Sequence, residues 1–437
     1  MARPTPRRSF LRSGLAAALA AGVAPRFVPA RLLGAGAPSG KVTLGCIGVG
    51  AHGFGVNLNQ FLQEDDCRIV AVCDVFANRR QRAREAVDRH HGGPGCAEFR
   101  DFRDLLARPD IDAVVISTPD HWHVPMALLA LAAGKAVFCE KPTLTIAEGR
   151  TLADAVARRP GAFFATGLED RAVIQYHKLA EVVRNGGIGR LRRIQVGLPV
   201  KPLFPLEAPA PVPEGLDYEL WLGPAPFRPY SPTLTDAQCW RQIRDFSGGS
   251  LTDWGAHLVD TAQVAAGTED SGPVAVRGKG EFPTGAFNTT ARTYELEYTY
   301  ANGVVLTVGA SEPSIRLEGD AGWVGNRGWL GRLEGSDPAV FRQTWAPEVN
   351  RLWPRRPREH RDFLDSLRAG RAPMYPAEAL HRLSTTLHLG AIAMELGRPL
   401  RWDPAAERFL DDPAADALRS RKSRDDWQRR GDRKSVV

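Results

Sequence analysis

The first third of the chain alternates short apolar runs with stretches of helical character. Apolar runs bounded by turn residues predict buried strands at Lys41 to Ile47, Ile69 to Cys73, Asp112 to Thr118 and Lys135 to Cys139. A helix predicted after His123 stops at Gly134, and Thr145 with Glu148 forms a capping box that opens another helix. This alternation predicts a parallel, doubly wound sheet of the Rossmann type.

The pattern changes after Gly167. Longer, exposed strands with alternating character are predicted at Leu191 to Val200, Val274 to Phe282, Thr293 to Tyr300 and Val304 to Ser311. In the third of these, Tyr294, Leu296, Tyr298 and Tyr300 share one face, and Asn302-Gly303 supplies a hairpin turn. Runs of strands predict an α+β second domain, and Pro199 to Pro232 predicts a long surface connection.

The net charge of +7 is concentrated at the two ends of the 437-residue chain. Residues 1–37 carry six arginines and no acidic residue, and residues 419–437 carry eight Lys/Arg and three Asp, so residues 38–418 have a net charge of −4. Nucleic-acid binding needs basic residues clustered on a folded face, which this distribution does not favour. No apolar run approaches the length of a membrane span, and the C-terminal tail is predicted to be solvated.

The N-terminus has the order of segments of an export signal. A twin-arginine pattern, Arg7 to Leu11, precedes an apolar run from Gly14 to Ala24 and small-residue cleavage sites near Ala30 and Ala37. We predict a signal peptide at 1–37 and a periplasmic or secreted protein; the alternative is a frayed cytoplasmic N-terminus. The predicted domains are then 38–168 (nucleotide binding), 169–410 (substrate binding and oligomerisation) and a basic tail at 411–437.

The six cysteines show no close-spaced framework and no Cys-x-x-Cys motif. Several lie within apolar runs, such as Cys46 and Cys139. We therefore predict buried free thiols rather than disulfides or a zinc site.

A glycine-rich loop follows the first predicted strand. Gly48, Gly50 and Gly53 allow a tight turn and a close approach of backbone to a pyrophosphate at the helix N-terminus. Asp74 ends the second strand, 21 residues beyond the last motif glycine, where a carboxylate accepts hydrogen bonds from the adenosine ribose. Asp74 favours NAD, although the nearby Arg79 and Arg80 leave NADP possible.

In doubly wound sheets the ligand lies beyond the carboxyl ends of the strands. Several candidate residues follow predicted strands in this way. The predicted cofactor-binding set is Gly48, Gly50, Ala51, His52, Gly53, Asp74, Thr118, Pro119, His121, His123, Glu140 and Lys141. For His123, a core histidine bonded to backbone is a near-equal alternative, and His121-x-His123 lacks the partners of a metal site, so no metal is predicted.

These motifs carry a family resemblance. The glycine loop, Thr118 to His123, Glu140-Lys141-Pro142 and the stretch Gly249 to His257 resemble the Gfo/Idh/MocA oxidoreductases, which include glucose–fructose oxidoreductase and inositol dehydrogenase. The resemblance runs from about Lys41 to Phe409. Its last part, Leu387 to Pro404, is similar to a secreted, twin-arginine-exported branch of the family. It implies an open, mostly antiparallel sheet in the second domain, whose outer face forms a homodimer or homotetramer contact.

Three residues are predicted to be catalytic: Lys141, Asp253 and His257. Asp253 and His257 are four residues apart in a predicted helix, so they share a face; the alternative for such a pair is a surface ion pair. We predict that His257 exchanges a proton with a substrate hydroxyl and that Lys141 polarises its oxygen. Asp253 would orient one of them or bind a hydroxyl. Arg171, Tyr176 and Arg241 are candidate substrate contacts.

Three functions are compatible with these residues. The first is an NAD(P)-dependent oxidoreductase acting on a secondary alcohol of a sugar, polyol or glycoside, with a cofactor that stays bound after export. The second is an NAD-dependent glycoside hydrolase that uses transient oxidation and elimination. The third is a non-catalytic, nucleotide-retaining binding protein, against which the presence of Lys141, Asp253 and His257 argues.

Overall fold

The computed structural model describes residues 40–424, so the predicted signal peptide and residues 425–437 of the tail lie outside the described part. The first sheet has six parallel strands in the order β3-β2-β1-β4-β5-β6. The strands are β1 Val42–Ile47, β2 Cys67–Cys73, β3 Ala97–Phe99, β4 Ala113–Ile116, β5 Ala136–Glu140 and β6 Phe164–Gly167. The predicted doubly wound parallel sheet is confirmed.

Helices connect these strands. They are α1 Asn59–Leu62, continued from a π-helical turn Gly53–Leu58, then α2 Ala77–His90, α3 Phe102–Leu106, α4 His123–Ala132 and α5 Ile146–Arg158. The side chain of Thr145 accepts a hydrogen bond from the Glu148 N–H, which caps α5 as predicted. Each strand therefore ends at the same edge of the sheet, where its following loop is available for a ligand.

The second sheet has nine strands in the order β13-β12-β11-β7-β10-β9-β8-β14-β15, and only β7 and β10 pair in parallel. The strands are β7 Leu191–Leu198, β8 Pro273–Glu281, β9 Thr293–Tyr300, β10 Val305–Ala310, β11 Ser314–Gly319, β12 Gly322–Arg327, β13 Leu333–Gly335, β14 Leu400–Asp403 and β15 Arg408–Phe409. The predicted mostly antiparallel sheet is confirmed.

Helices cover one face of the second sheet. The helices of this half are α6 Ile174–Arg184, α7 Tyr218–Leu222, α8 Ala237–Trp240, α9 Gly249–Asp253, α10 Gly255–Ala266, α11 Glu359–Ala369, α12 Ala377–Leu396 and α13 Pro413–Ala417. The tyrosine face of β9 is buried against α12, where a Cβ on Gly390 would lie 2.0 Å from the Tyr298 hydroxyl. The alternation in β9 thus reflects one buried face and one open face.

One helix of the second half belongs to the core of the first. Phe363, Leu364 and Leu367 of α11 pack with Phe61 and Phe138 of the nucleotide-binding half. The chain returns to the first sheet because α11 is amphipathic and that sheet has an open apolar face. The predicted domain 169–410 is therefore corrected for this helix.

The described part of the C-terminal tail is not solvated. Arg421 donates to the backbone carbonyl oxygens of Arg244 and Ser247, and Arg424 donates to that of Gly223. The prediction of a solvated tail is wrong up to residue 424, because its guanidinium groups satisfy backbone acceptors of residues 223–247.

The cysteines and the apolar character of the helices in residues 40–424 bear on two further predictions. All six cysteines are buried free thiols, as predicted. Among these residues, no helix has both the length and the apolar character that crossing a membrane requires.

Candidate active site

The glycine loop follows β1 and turns the chain into the first helix. Gly48 has a φ of +82°, in the left-handed region that glycine tolerates. A Cβ on Gly53 would lie 1.9 Å from the carbonyl oxygen of Gly48, so only glycine allows this close approach. The helix N-terminus faces a cleft of about 830 Å³ that Gly50, Ala51 and His52 also line. Backbone N–H groups in this arrangement bind phosphate.

Asp74 follows β2 in the same cleft. Its carboxylate accepts hydrogen bonds from the backbone N–H groups of Val49 and Phe76, each at 2.9 Å. Burial raises the pKa of Asp74, although Arg79 and these two N–H groups oppose the increase. Arg79 stacks on the Phe76 ring at 3.8 Å, and Arg80 donates to the Asp74 carbonyl oxygen. The Asp74 carboxylate and the Arg79 guanidinium thus line the position expected for an adenosine ribose, whereas Arg80 does not line the cleft.

Glu140, the last residue of β5, supports the glycine-loop helix. Its Oε1 accepts a hydrogen bond from Asn57 at 2.8 Å and lies 3.0 Å from His52 Nε2. His360 of α11 bonds the other side of the Asn57 amide. Burial would raise the pKa of Glu140, but His52 and Asn57 outweigh it and lower the pKa to about 2. Glu140 is therefore an ionised anchor rather than a proton donor.

Lys141 and Asp253 form an ion pair inside the cleft. Lys141 Nζ donates to Asp253 Oδ1 at 2.7 Å and to the Asp253 backbone carbonyl oxygen at 2.9 Å. Burial raises the pKa of Asp253, but Lys141 and Arg241 together bring it well below its ordinary value. Burial also lowers the pKa of Lys141, and Asp253 more than offsets this. The ammonium stays charged and can donate to a substrate oxygen.

His257 pairs with Asp170 and not with Asp253. Its Nδ1 lies 2.8 Å from Asp170 Oδ2. Although Asp253 and His257 both line the cleft, α9 ends at Asp253 and α10 begins at Gly255, so the helix is interrupted between them. Of the two orienting roles predicted for Asp253, the geometry therefore places it against Lys141 and assigns the imidazole to Asp170.

The Asp170–His257 pair is a coupled acid–base unit. Burial, with Asp260 nearby, raises the pKa of Asp170 well above its ordinary value, and burial lowers the pKa of His257. Both shifts favour a pair without net charge, in which one proton lies in the Asp170–His257 hydrogen bond and another on Nε2. Loss of the Nε2 proton gives the base form, so the two residues titrate together.

Of the three predicted substrate contacts, only Arg241 lines the cleft. Arg171 is buried in an ion pair with Asp260 at 2.8 Å and also lies against the ring of Tyr375. The Tyr176 hydroxyl accepts a hydrogen bond from the backbone N–H of Leu330. Arg171 and Tyr176 are therefore structural, because their polar groups are satisfied by the fold behind the site.

The histidines after β4 have different positions. His121 is fully buried, and its Nε2 bonds the carbonyl oxygen of Trp221 at 3.0 Å; it does not line the cleft, so its predicted cofactor contact is corrected. His123 lines the cleft, but both ring nitrogens face backbone carbonyl oxygens, those of Thr118 and Pro142. Thr118 and Pro119 also line the cleft, and the Thr118 hydroxyl is buried without a hydrogen-bond partner among the described residues.

Sequence reasoning missed Asp170, Glu169, Lys201 and Trp254. The rule that selected Glu140 could have found Asp170, since it follows the carboxyl end of β6. Lys201 and Trp254 line the cleft from the long connection and from the α9–α10 junction, and no local motif marks them.

Within residues 40–424, one cluster of side chains could hold a metal ion. It consists of Glu169, Asp170 and His257, whose potential ligand atoms lie within 4.8 Å of one another. The short His257–Asp170 hydrogen bond accounts for this approach.

Two sequence profiles of one family match the chain. A profile described as "Oxidoreductase family, NAD-binding Rossmann fold" matches residues 42–166, and one described as "Oxidoreductase family, C-terminal alpha/beta domain" matches residues 205–429. The chain belongs to the Gfo/Idh/MocA oxidoreductase family. This confirms the resemblance carried by the glycine loop, Glu140-Lys141-Pro142 and the stretch that ends at His257.

Curated relatives of this Gfo/Idh/MocA protein match over a limited length. A glycosyl hydrolase family 109 protein 2 of Shewanella sp. (strain ANA-3) is 38% identical over 153 residues, 31% of this chain and 33% of the relative. A glycosyl hydrolase family 109 protein of Shewanella baltica (strain OS155) is 35% identical over 170 residues, 35% of this chain and 37% of the relative. The chain therefore spans about a third of the length of these relatives.

Solved structures of similar fold cover most of the chain. The WlbA dehydrogenase from Bordetella pertussis, in complex with NADH and UDP-GlcNAcA, has a TM-score of 0.61 and 17% identity, covering 83% of this chain and 99% of that one. The aldose-aldose oxidoreductase from Caulobacter crescentus, complexed with glycerol, has a TM-score of 0.58 and 20% identity at the same coverage. At these identities the likeness shows the fold.

Proposed function

We propose that this protein is an NAD(P)-dependent oxidoreductase that acts on a secondary alcohol of a sugar, polyol or glycoside. The observation that carries the proposal is the convergence of Lys141 and the Asp170–His257 pair in one cleft with the glycine loop. A charged donor and a coupled acid–base pair are the groups that a carbinol oxygen needs as its carbon changes oxidation state.

The residues of the cleft fit a dinucleotide. Gly48 and Gly53 leave no room for a Cβ, which keeps the backbone of the loop accessible at the helix N-terminus. The unpartnered hydroxyl of Thr118 is a polar group that a ligand could satisfy. Asp74 favours NAD, while Arg79 and Arg80 could accommodate the additional phosphate of NADP.

The nicotinamide supplies the two-electron acceptor or donor when it is bound. During oxidation, His257 Nε2 takes the hydroxyl proton while Nδ1 keeps its hydrogen bond to Asp170. Lys141 donates to the same substrate oxygen and stabilises the negative charge that develops there. Asp253 fixes the direction of the Lys141 ammonium through its 2.7 Å hydrogen bond. In reduction, Nε2 returns the proton to the carbonyl oxygen.

We also propose that the protein is exported with its cofactor bound. The twin-arginine pattern Arg7-Arg8 and the nucleotide loop motivate this, because free NAD(P) is a cytoplasmic pool and an exported enzyme has to regenerate what it carries. One solution couples oxidation of one sugar to reduction of another.

A second candidate is an NAD-dependent glycoside hydrolase. The similarity to glycosyl hydrolase family 109 proteins over about a third of their length favours it. Transient oxidation next to an acidic C–H would permit loss of that proton and elimination of the aglycone; water would then add to the double bond and the hydride would return, so that no net redox change remains. The same Lys141 and His257 would serve both reactions.

The test uses protein purified from the periplasm without added nucleotide. We expect bound nicotinamide, whose reduced absorbance band rises with one sugar and falls with a second compound. Release of sugar from a glycoside without a net change in the band would favour the hydrolase. Purified protein that contains no nucleotide and reacts with neither class of compound would overturn both proposals.

We further propose a homodimer or homotetramer that contacts through the open face of the second sheet. That face carries a groove of about 1260 Å³ lined by charged residues including Arg277, Glu295, Glu297 and Arg316. Light scattering on size-exclusion fractions is expected to give a dimer or tetramer mass, and a monomer mass at micromolar concentration would overturn the proposal.

A further inference from the structure

Three basic side chains lie at the substrate end of the cleft. Lys141, Lys201 and Arg241 line it, and Asp253 is the carboxylate that pairs with two of these three. The other cleft carboxylates are engaged elsewhere: Glu140 with His52, Glu169 near His257, Asp120 with the Ser247 hydroxyl, Asp236 with the Gln238 N–H and Asp74 with the Val49 N–H. The lining of the whole cleft has six Lys/Arg and six Asp/Glu residues, so the substrate end is distinguished by where its charged donors lie and not by a surplus of positive charge.

Lys201 provides one of the charged donors at this end of the cleft. Its ammonium lies 4.9 Å from the centroid of the Trp254 ring, and no ion pair or hydrogen bond joins Nζ to another residue in the range 40–424. Half-burial lowers the pKa of Lys201, and of the charges around it Asp253 opposes this while Arg241 and Lys141 reinforce it. Asp253 supplies a negative charge nearby, but within residues 40–424 no acceptor occupies the donors of Nζ, so they are available to a ligand in the cleft.

Hydrogen bonds to the carbonyl oxygens of Pro199 and Lys201 hold the backbone there, which fixes the point from which the Lys201 side chain enters the cleft. Ser250 Oγ donates to the carbonyl oxygen of Pro199 at 2.6 Å, and Arg292 Nε donates to that of Lys201 at 3.1 Å. Ser250 lies in α9, which also carries Asp253. The same short helix thus sets both the ion pair of Lys141 and the location of Lys201.

Arg241 adds a second donor. Its Nη1 donates to the carbonyl oxygen of Ala237 and its Nε lies 3.6 Å from Asp253 Oδ2, while Nη2 has no hydrogen-bond partner among the described residues. The guanidinium also stacks on Trp240 at 4.3 Å, which limits its rotation. One N–H edge of a restrained guanidinium is therefore available in the cleft.

These cations are not part of the phosphate-binding loop. The pyrophosphate position is defined by the helix N-terminus at Gly50 to Gly53, whereas Lys201 lies over Trp254, the residue between Asp253 and the helix of His257. An anion at Lys201 and Arg241 would therefore belong to the molecule whose carbinol faces Lys141 and His257.

We propose that the substrate is an anionic sugar, whose carboxylate, sulfate or phosphate group is bound by Lys201 and Arg241 while its secondary hydroxyl lies against Lys141 and His257. This inference rests on the proposed function for the identity of the reacting group. A charge-assisted hydrogen bond in a partly buried site gives strong discrimination, because a neutral analogue leaves the cations unpaired.

The experiment measures equilibrium binding to the NAD-loaded, full-length protein by calorimetry at low and at high salt. The probes are matched pairs: galacturonate with galactose, glucuronate with glucose, and glucose 6-phosphate and glucose 6-sulfate with glucose. We expect at least one anionic sugar to bind about tenfold or more tightly than its neutral counterpart, with a preference that weakens at high salt. Comparison of the uronates with the esters distinguishes a carboxylate from a phosphate or sulfate site.

The variants are Lys201→Gln and Arg241→Gln, with the exposed Lys422→Gln as the matched control of equal charge change. We expect both cleft variants to lose most of the anionic preference, while Lys201→Gln keeps its NAD affinity and its affinity for the neutral sugar within about threefold. Arg241→Gln also removes a partner of Asp253, so only its anionic preference is compared. Lys422→Gln is expected to keep the preference.

The outcomes separate this inference from the proposed function. Anionic preference that depends on Lys201, without any change in nicotinamide absorbance, would retain the inference and contradict the oxidoreductase. Turnover of neutral sugars with no anionic preference would overturn the inference alone. A loss of NAD affinity in Lys201→Gln, or the absence of preference in all pairs, would also overturn it.

Discussion

The nucleotide end of the cleft is formed by the glycine loop and Asp74, all within one strand–helix–strand unit, whereas the proposed catalytic end is formed by residues from distant segments: Lys141, Asp170, Arg241 and residues 253–257. The backbone geometry of the nucleotide end depends on glycines, where a Cβ would collide with neighbouring backbone atoms. The proposed catalytic end depends on buried charges that set one another's protonation. A local backbone site is sensitive to added volume, and an assembled charge site is sensitive to the loss of any one partner.

The largest effect is expected at the assembled site. Lys141→Met removes the charged donor and leaves the Asp253 carboxylate with Arg241 alone at 3.6 Å. We expect kcat/KM to fall about a thousandfold while NAD affinity changes less than threefold. Stopped-flow measurement of nicotinamide reduction and a separate NAD titration check this, with Lys422→Met as the control. Activity within tenfold of the wild type would show that Lys141 has no such role.

The second prediction concerns a buried contact beside the cleft, between His121 and the carbonyl oxygen of Trp221. Burial lowers the pKa of His121 to about 4, although its hydrogen bond to Trp221 opposes this. Below its unfolded pKa of about 6.5, the unfolded chain binds a proton that the folded chain does not, so stability is lost as pH falls. For this group the loss between pH 7 and pH 4 is about 3 kcal/mol.

Urea unfolding at pH 7, 5 and 4 checks this prediction. His121→Gln keeps a donor for the Trp221 carbonyl oxygen but does not titrate, so its stability is expected to fall less over the same range. His388, whose burial lowers its pKa to about 3, remains in both proteins and cancels in the comparison. Equal losses in the two proteins would exclude His121 as the source.

A smaller effect is expected from the positioning residue of the histidine. Asp170→Asn removes the acid that shares a proton with His257 Nδ1. We expect kcat to fall about thirtyfold, with KM less affected. The coupled pair has to lose a proton to act as a base, and the raised pKa of Asp170 holds that step at higher pH. The acid limb of the pH profile for oxidation is therefore expected to move to lower pH in the variant; an unchanged limb would contradict the pairing.

The smallest effect is expected at the backbone site. Gly53→Ala would place a Cβ 1.9 Å from the Gly48 carbonyl oxygen and displace the loop from the helix. We expect a loss of about tenfold in NAD affinity and a lower melting temperature. Gly55→Ala is the matched control, because a Cβ there meets no atom within 4 Å. Equal NAD affinities for the two variants would contradict the close approach at Gly53.

The parts of the fold that the sequence predicted are those fixed by local patterns. Period and turn chemistry located four strands of each sheet, and the glycine loop with Asp74 located the nucleotide end, because the residues involved are close in sequence. The strands β3, β6 and β11 to β15 were not predicted. The α11 helix was assigned to the second domain, since amphipathicity shows that a helix has an apolar face but not which sheet it covers. The spacing of Asp253 and His257 likewise placed both in the site without showing their partners.

The substrate contacts show the same limit at single residues. Arg171 and Tyr176 are polar residues near the start of the second half, and nothing in the local sequence shows that Arg171 pairs with Asp260 or that the Tyr176 hydroxyl bonds the backbone of Leu330. Arg421 is an arginine in a basic tail, yet its guanidinium donates hydrogen bonds to the backbone carbonyl oxygens of residues 244 and 247. In each case the partner lies far along the chain.

The sequence by itself determined the alternation of strands and helices, the phosphate-binding loop and the presence of Lys141, Asp253 and His257 at element ends, because these follow from local periodicity and from the steric needs of glycine. Only the tertiary structure decided that Asp253 pairs with Lys141, that Asp170 pairs with His257 and that Lys201 lines the cleft without an ion pair to any residue in the range 40–424. Buried charged groups pair with the opposite charges that lie nearest in space, and the packing of the two sheets sets those distances.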